Sequence, residues 1–255
     1  MNLAVDIGGT FFRYKLNEKI NILKTKEIDI LTTLQNIIDE NNIKNVAISF
    51  AGGVYNNRVI FSPNIKKIDF NKLKVKNLFV ENDVNLAALA NSKYYKKDNL
   101  LAIYIGTGIG AGFIYKDKIF KTGGVELELG HIPYKKSKFI CGCGKDNCLE
   151  LFASGRALEL RNIKELKNSN YFDEFTEAFY KGISTAITLF NPKMVVLGGG
   201  VIEHNLYLVD LLKENIKNFA LKYSLSNLKI VASPIIDAPL KGAEIVLKEG
   251  YENII

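Results

Sequence analysis

The chain has 255 residues, 47% apolar and 24% charged, a composition suited to a globular protein with a large core in one large domain or two moderate ones. It has no run of about 18 apolar residues, and "MNLAVDIGGT" opens on a strand pattern with neither basic region nor cleavage site, so a soluble cytoplasmic protein with no membrane partner is expected. The formal charge of +7 raises the question of nucleic acid, but only four of the 34 basic residues are arginines (Arg13, Arg58, Arg156, Arg161). With few guanidinium forks for base readout and lysines scattered along the chain, no nucleic-acid partner is expected.

In chain order, "LAVDIG" at 3–8 reads as a buried strand, followed by a glycine turn and a second strand in "GTFFRYKL". "KINILKTKEIDI" predicts a third strand, "LTTLQNIIDENN" a helix, "KNVAISF" a buried strand, and "VKNLFVEN" a strand feeding the helix "DVNLAALANSKYY". The polar "KKDN" then interrupts the apolar pattern near Lys97 to Asn99. Beyond it "LAIYIG" at 101–106 repeats the opening strand, again with a glycine turn and a strand-like run, "GIGAGFIYKDKIF". A long helix over "NSNYFDEFTEAFYKGISTAITLF", a strand "KMVVLG", a helix from about His204, a strand "LKIVAS" and a last helix after Pro239 complete the second half. Strands alternating with helices predict α/β layers, and the internal repeat predicts two related lobes. The expected division is an N-terminal α/β lobe, 1–98, joined by a C-terminal helix, 240–255, and a larger lobe, 99–239.

The glycine turns admit two readings. Gly106, Gly108 and Ala111, with Glu126 further on, loosely match a dinucleotide-binding fingerprint, but such a loop opens a helix, and "GFIYKDKIF" alternates as a strand does. The alternative is a pair of β-turns, at Asp6 to Thr10 and Gly106 to Gly108, whose backbone N–H groups approach phosphate oxygens, with Asp6 holding the water shell of Mg²⁺.

All three cysteines, Cys141, Cys143 and Cys148, fall in one short loop soon after His131. An odd number of thiols makes no disulfide framework, and a Cys₃His set of this spacing predicts a closed, structural Zn²⁺ site in a loop spanning 131–148. Glu128 and Glu150 flank the ligands, so the ion would fix both ends of the loop.

These motifs together resemble the ROK family of sugar kinases and repressors. The resemblance rests on "DIGGT" with Arg13, "AGGV" at 51–54, "SPN" at 62–64, "ENDVN" at 81–85, "GTGIGAG", "ELGH" at 128–131, the C-x-C-G-x-x-x-C-x-E run and "VVLGGGV", in the family's order. It implies a two-lobed actin/hexokinase-like (ribonuclease H-like) α/β fold with a duplicated mixed sheet, ATP held between the lobes and a hexose deeper in the cleft. The ATP and Mg²⁺ residues would be Asp6, Gly8, Gly9, Thr10, Arg13, Gly106, Thr107, Gly108, Gly198, Gly199 and Gly200. Asp83 would be the catalytic base, and Gly53, Asn82, Asp83, Glu128, His131 and Glu150 would bind the sugar.

The implied activity is ATP-dependent phosphorylation of the 6-hydroxyl of glucose or a related hexose or N-acetylhexosamine, in a protein expected to form a homodimer. The rival is a sugar-binding regulator or sensor of the same family without catalysis; a repressor would carry an N-terminal helix-turn-helix, for which Asp6 leaves no room. The chain departs from the family pattern at Ala51-Gly52-Gly53, where Pro-Gly-Pro is usual, at Phe11 and at Asn91, which bears on substrate choice more than on chemistry.

Overall fold

The computed structural model describes residues 1–62 and 65–251. Pro63 and Asn64 of "SPN", and residues 252–255 of the expected C-terminal helix, lie outside the described residues. Among the described residues, twelve strands and eight α-helices run in the order β1 (Asn2–Ile7), β2 (Phe11–Leu16), β3 (Lys19–Lys24), α1 (Ile30–Glu40), β4 (Asn45–Phe50), β5 (Gly53–Tyr55), β6 (Arg58–Phe61), β7 (Asn77–Asn82) and α2 (Asp83–Tyr95). They continue with β8 (Asn99–Ile105), β9 (Ile109–Tyr115), β10 (Lys118–Ile119), α3 (Glu150–Ala153), α4 (Gly155–Glu159), α5 (Phe172–Phe190), β11 (Met194–Gly198), α6 (Gly200–His204), α7 (Tyr207–Asn215), β12 (Lys229–Ala232) and α8 (Ala238–Glu249). None of the helices among the described residues is long and apolar enough to cross a membrane.

The internal repeat is a repeat of sheets. One five-stranded sheet has the order β3-β2-β1-β4-β7 and the other β10-β9-β8-β11-β12, so each sets a hairpin edge beside parallel strands. In both copies the edge hairpin closes through two left-handed residues, Asn17 and Glu18 (φ 48° and 64°) in the first and Lys116 and Asp117 (φ 53° and 63°) in the second. Paired positive φ values match the twist of a two-residue hairpin turn. The fold is thus the actin/hexokinase-like type, a duplicated mixed sheet with helices.

The chain packs as two compact units, one of residues 1–98, 114–126 and 235–255, the other of residues 99–113 and 127–234. In the first unit, Leu3, Val5 and Ile7 of β1 and Val46, Ile48 and Phe50 of β4 share a buried cluster with Ile30, Leu34, Ile37 and Ile38 of α1. Those helical positions recur at the spacing of one amphipathic face, which is why this segment coils on the sheet. Asp29 starts α1 by accepting from the Thr32 N–H at 2.9 Å.

Helix α2 is buried from Val84 to Ser92, and α8 packs against it so closely that a Cβ on Gly242 would stand 2.1 Å from the Leu86 carbonyl oxygen. The Asn91 departure sits inside α2, fully buried, its side-chain amide donating to the Ala87 carbonyl at 2.9 Å. A neutral amide satisfied by its own helix avoids the cost of burying an acid.

Some elements differ from expectation. The hairpin β5–β6 and the short helices α3 and α4 were not anticipated, the expected helix from His204 begins at Gly200 and is interrupted at Asn205, and Pro239 lies inside the first turn of α8 rather than before it. Proline tolerates that position because the first-turn N–H has no helical partner.

Candidate active site

The first unit carries the opening glycine turn. Gly8 N–H donates to the Phe11 carbonyl at 2.9 Å, and the Thr25 hydroxyl donates to the Gly8 carbonyl at 2.7 Å, which closes the turn between β1 and β2. A Cβ on Gly8 would meet only the Phe11 oxygen, at an ordinary 3.5 Å, so packing does not demand glycine here. Asp6, at the end of β1, is buried and receives the Ser49 hydroxyl at 2.7 Å and Arg13 at 3.4 Å. Burial pushes its carboxyl above the ordinary value, more than Ser49 and Arg13 pull it down. Arg13 also pairs with Asp237 at 3.4 Å and lies 5.0 Å over the Phe11 ring, so that departure from the family pattern supplies a cation–π platform.

Gly52 and Gly53 have a packing reason. A Cβ on Gly52 would come 2.5 Å from the Phe61 oxygen, and one on Gly53 would come 2.7 Å from the Gly124 oxygen and 2.9 Å from Val125. The Ala51-Gly52-Gly53 departure therefore matches the close approach of β6 and of the 124–125 segment.

Asn82 and Asp83 stand at the junction of β7 and α2. The Asn82 side chain caps the helix, accepting from Val84 N–H at 2.9 Å and Asn85 N–H at 3.0 Å while its amide donates to the Gly52 carbonyl at 3.0 Å. Asp83 is the first helical residue, and its carboxylate accepts the adjacent Val84 N–H at 3.0 Å. The cap thus does not depend on Asp83. The helix N-terminus favours its carboxylate form.

The second unit carries the other turn, closed by Gly106 N–H to the Gly108 carbonyl at 3.0 Å. The start of α4 braces it: Gly155 N–H donates to the Gly106 carbonyl at 2.7 Å and Arg156 N–H to the Thr107 carbonyl at 3.0 Å. A Cβ on Gly106 would meet nothing within 4 Å, leaving that face open to a ligand. At Gly108 the vacant position faces the Glu150 carboxylate at 2.7 Å. The turn runs into strand β9, not a helix, and Glu126 is held by the N–H groups of Thr122, Gly123 and Gly124 at 2.6–3.2 Å. Neither feature belongs to a dinucleotide fingerprint.

Of Gly198, Gly199 and Gly200, the first two are required by the fold. A Cβ on Gly198 would enter the Tyr104 ring at 2.5 Å, and Gly199 has φ +87° with the Ile105 oxygen 2.6 Å from its Cβ position. Gly200 faces open space at the start of α6.

The structure brings His131, Cys141, Cys143 and Cys148 together, their ligand atoms all within 4.8 Å of one another. Residues 132–149 fold back on themselves through Leu149 N–H to Ile132, Tyr134 N–H to Asn147 and Ser137 N–H to Asp146, at 2.7–3.0 Å. The tip turns at Gly144, whose φ of +91° suits glycine. Cys141 Sγ lies 3.4 Å from His131 Nδ1, and Cys143 Sγ lies 3.4 Å from Cys148 Sγ, far longer than a disulfide bond. Tetrahedral Zn²⁺ with its usual bond lengths needs ligand–ligand edges of roughly 3.6–3.8 Å.

The thiol chemistry fits the same ion. Burial drives Cys141 well above its ordinary pKa and Cys148 to about 11. Burial opposes ionisation of Cys143 as well, but hydrogen bonds led by the Lys145 backbone outweigh it and hold that thiol below its ordinary value. Three adjacent thiolates need a cation to coexist, and a divalent one supplies it. Four protein ligands would close the site to water and substrate.

Glu150 joins these parts. Its Oε1 accepts from Cys141 Sγ at 3.0 Å, and its Oε2 faces Gly108 and Gly130. Glu128 is the centre of a tight turn, φ −67° and ψ 60°, closed by Leu129 N–H to the Leu127 carbonyl at 2.6 Å, and its Oε2 lies 3.9 Å from His131 Nε2. His131 therefore points Nδ1 at the thiols and Nε2 at Glu128. Leu127, at φ +57°, is a bulky residue in the left-handed region beside this carboxylate, a signal that residue types alone did not reveal.

The fold and these motifs define a class of actin/hexokinase-like proteins with paired glycine turns and a Cys₃His loop. The chain belongs to the ROK family, whose model matches residues 2–249. It is 27% identical to a glucokinase of Thermotoga maritima over 97% of each chain. It is also 26% identical to a xylose repressor of Caldicellulosiruptor bescii, over 63% of this chain and 49% of the repressor. Among solved structures, the ROK family glucokinase of Streptomyces griseus in complex with glucose and AMPPNP superposes with a TM-score of 0.79, at 24% identity, over 98% of this chain and 99% of that one.

Proposed function

We propose that the protein is an ATP-dependent hexose kinase that phosphorylates the 6-hydroxyl of glucose or a related hexose or N-acetylhexosamine. The observation that carries this reading is the division of labour at the start of α2: Asn82 caps the helix, so the Asp83 carboxylate is not needed for the cap and suits a base. The glucokinase and N-acetyl-D-glucosamine kinase names of relatives from Thermotoga maritima and Haemophilus influenzae support the same class.

In this mechanism Asp83 orients the 6-hydroxyl and accepts its proton. The helix N-terminus makes it a weak base, which suffices because phosphoryl transfer through a loose transition state relies on positioning and charge neutralisation more than on early proton removal. The turns at Gly8, Gly9 and Thr10 and at Gly106, Thr107 and Gly108 would present backbone N–H groups to the ATP phosphates, other than those of Gly8 and Gly106, which close the turns, and Gly200 an open face on the adenosine side. Asp6 would hold Mg²⁺ through its water shell, with Arg13 fixing the carboxylate; the ion would neutralise phosphate charge. Glu128, His131 and Glu150 would hydrogen-bond the sugar hydroxyls, with Asn82 and Gly53 beside Asp83. Zn²⁺ on His131, Cys141, Cys143 and Cys148 would hold the loop in shape and take no part in the chemistry.

The second reading, a family regulator that binds sugar without catalysis, is favoured by the repressors among the relatives. A coupled ADP-release screen over hexoses and N-acetylhexosamines with ATP and Mg²⁺, run beside calorimetric sugar binding, separates the two. Sugar-dependent ADP release supports the kinase. Tight sugar binding with no ADP release from any sugar of the panel overturns it.

A further inference from the structure

Directly before Asn82 and Asp83 lies Glu81, a carboxylate only 2% exposed that none of the proposed chemistry uses. Its Oε2 pairs with Lys121 Nζ and accepts the Tyr251 hydroxyl at 3.2 Å. Its Oε1 accepts the Asn82 N–H at 2.9 Å and the Asn85 side-chain amide at 3.1 Å. Four donors from three separate stretches of chain therefore converge on one buried acid. Two of those donors belong to the Asn82–Asn85 turn that carries Asp83.

The Lys121 side chain is itself only 8% exposed, so both charges of this pair have been taken out of water. Such a pair repays its desolvation only with good geometry and satisfied remaining hydrogen-bonding groups, and breaking one side strands the other charge. Tyr251 is fixed as a donor: burial, then the Glu81 charge, drive its hydroxyl pKa far up, and its ring packs 5.3 Å from Phe79 on β7. If the Lys121 charge is lost, the Glu81 carboxylate is left buried without its counter-ion and is driven to swing toward water. That movement weakens its hold on Asn82 and Asn85.

We infer that Lys121 is a positioning residue: by anchoring Glu81, it sets the Asn82–Asn85 turn and hence the Asp83 carboxylate. The inference rests on the kinase reading for its consequence but not for its structural test. In Lys121→Met, amide hydrogen exchange at Asn82, Val84 and Asn85 should quicken at least tenfold while the amides of β1 and β4 keep their protection. Turnover should fall about tenfold or more with KM for ATP unchanged. Tyr251→Phe keeps both charges, so it is the variant that remains folded if Lys121→Met does not; it should quicken the same amides about threefold. Unchanged exchange at those three amides in Tyr251→Phe, or in a folded Lys121→Met, overturns the inference. A wild-type protein inactive with every sugar would instead remove the kinase reading and leave the exchange result to decide this one.

Discussion

Gly108→Ala separates two roles that the second glycine turn could play. As a phosphate turn, Gly108 needs no side chain because a ligand approaches it. The structure adds that the missing side chain leaves room for Glu150, whose Oε2 lies 2.7 Å from where a Cβ would stand, whereas ordinary contact begins near 3.4 Å. The carboxylate must then retreat by about 0.7 Å, and displacement of about 1 Å at a reacting centre can cost about a hundredfold in rate.

Little stability should be lost, because the group that moves is the far end of a flexible side chain; the change in unfolding free energy should stay within about 1 kcal/mol. The expected outcome is a tenfold to hundredfold fall in kcat/KM for sugar, roughly, in an ADP-release assay, with an almost unchanged melting curve and unchanged zinc content. If KM for ATP rises at least tenfold while the sugar parameters stay at wild-type values, Gly108 serves phosphate alone, and the coupling to Glu150 is refuted.

Elemental analysis of tag-free protein should find about one zinc per chain, falling to near zero in Cys143→Ser, whose KM for sugar should rise sharply because the loop holding Glu128 and Glu150 loses its clasp. Asp83→Asn should lower turnover by about a thousandfold or more in the coupled assay while calorimetric sugar affinity stays within about tenfold, and its melting temperature should hardly move because Asn82 provides the cap. Gly242→Ala should destabilise the first unit by about 3 kcal/mol in denaturant melts, since a Cβ 2.1 Å from the Leu86 backbone forces α8 away from α2.

Much of the sheet architecture was legible because it is local and repeated: "LAVDIG" and "LAIYIG" became β1 and β8, each inner to a hairpin edge in sheets of matching order. The hairpin β5–β6 carries only a faint signal in the sequence. Asn56 and Asn57 turn it with φ of 49° and 60°, and paired asparagines favour that geometry, but three- and four-residue strands show too little alternation to stand out. Helices α3 and α4 are four and five residues long, too short for a helical period to register. The Cys₃His set was legible because its members lie close in sequence. The buried Glu81–Lys121–Tyr251 set was not, since its partners are 40 and 170 positions apart and each alone reads as an ordinary surface residue type.

On the proposed reading His131 would serve two roles that look exclusive in sequence, metal ligand and sugar contact. An imidazole has two nitrogens, and the fold assigns them to different sides: Nδ1 is 3.4 Å from Cys141 Sγ, and Nε2 is 3.9 Å from Glu128 Oε2. A metal on Nδ1 leaves Nε2 as an N–H donor, fixing the tautomer that a neutral histidine otherwise chooses from its surroundings. The gap to Glu128 is too long for a direct hydrogen bond but suits a bridging hydroxyl or water that accepts from the imidazole and donates to the carboxylate. On the proposed kinase reading, a metal on Nδ1 would act on the sugar contact by setting which atom of His131 carries the proton. Chelation should therefore weaken sugar contacts even where the loop stays folded, whereas a purely mechanical clasp would act only by letting the loop move.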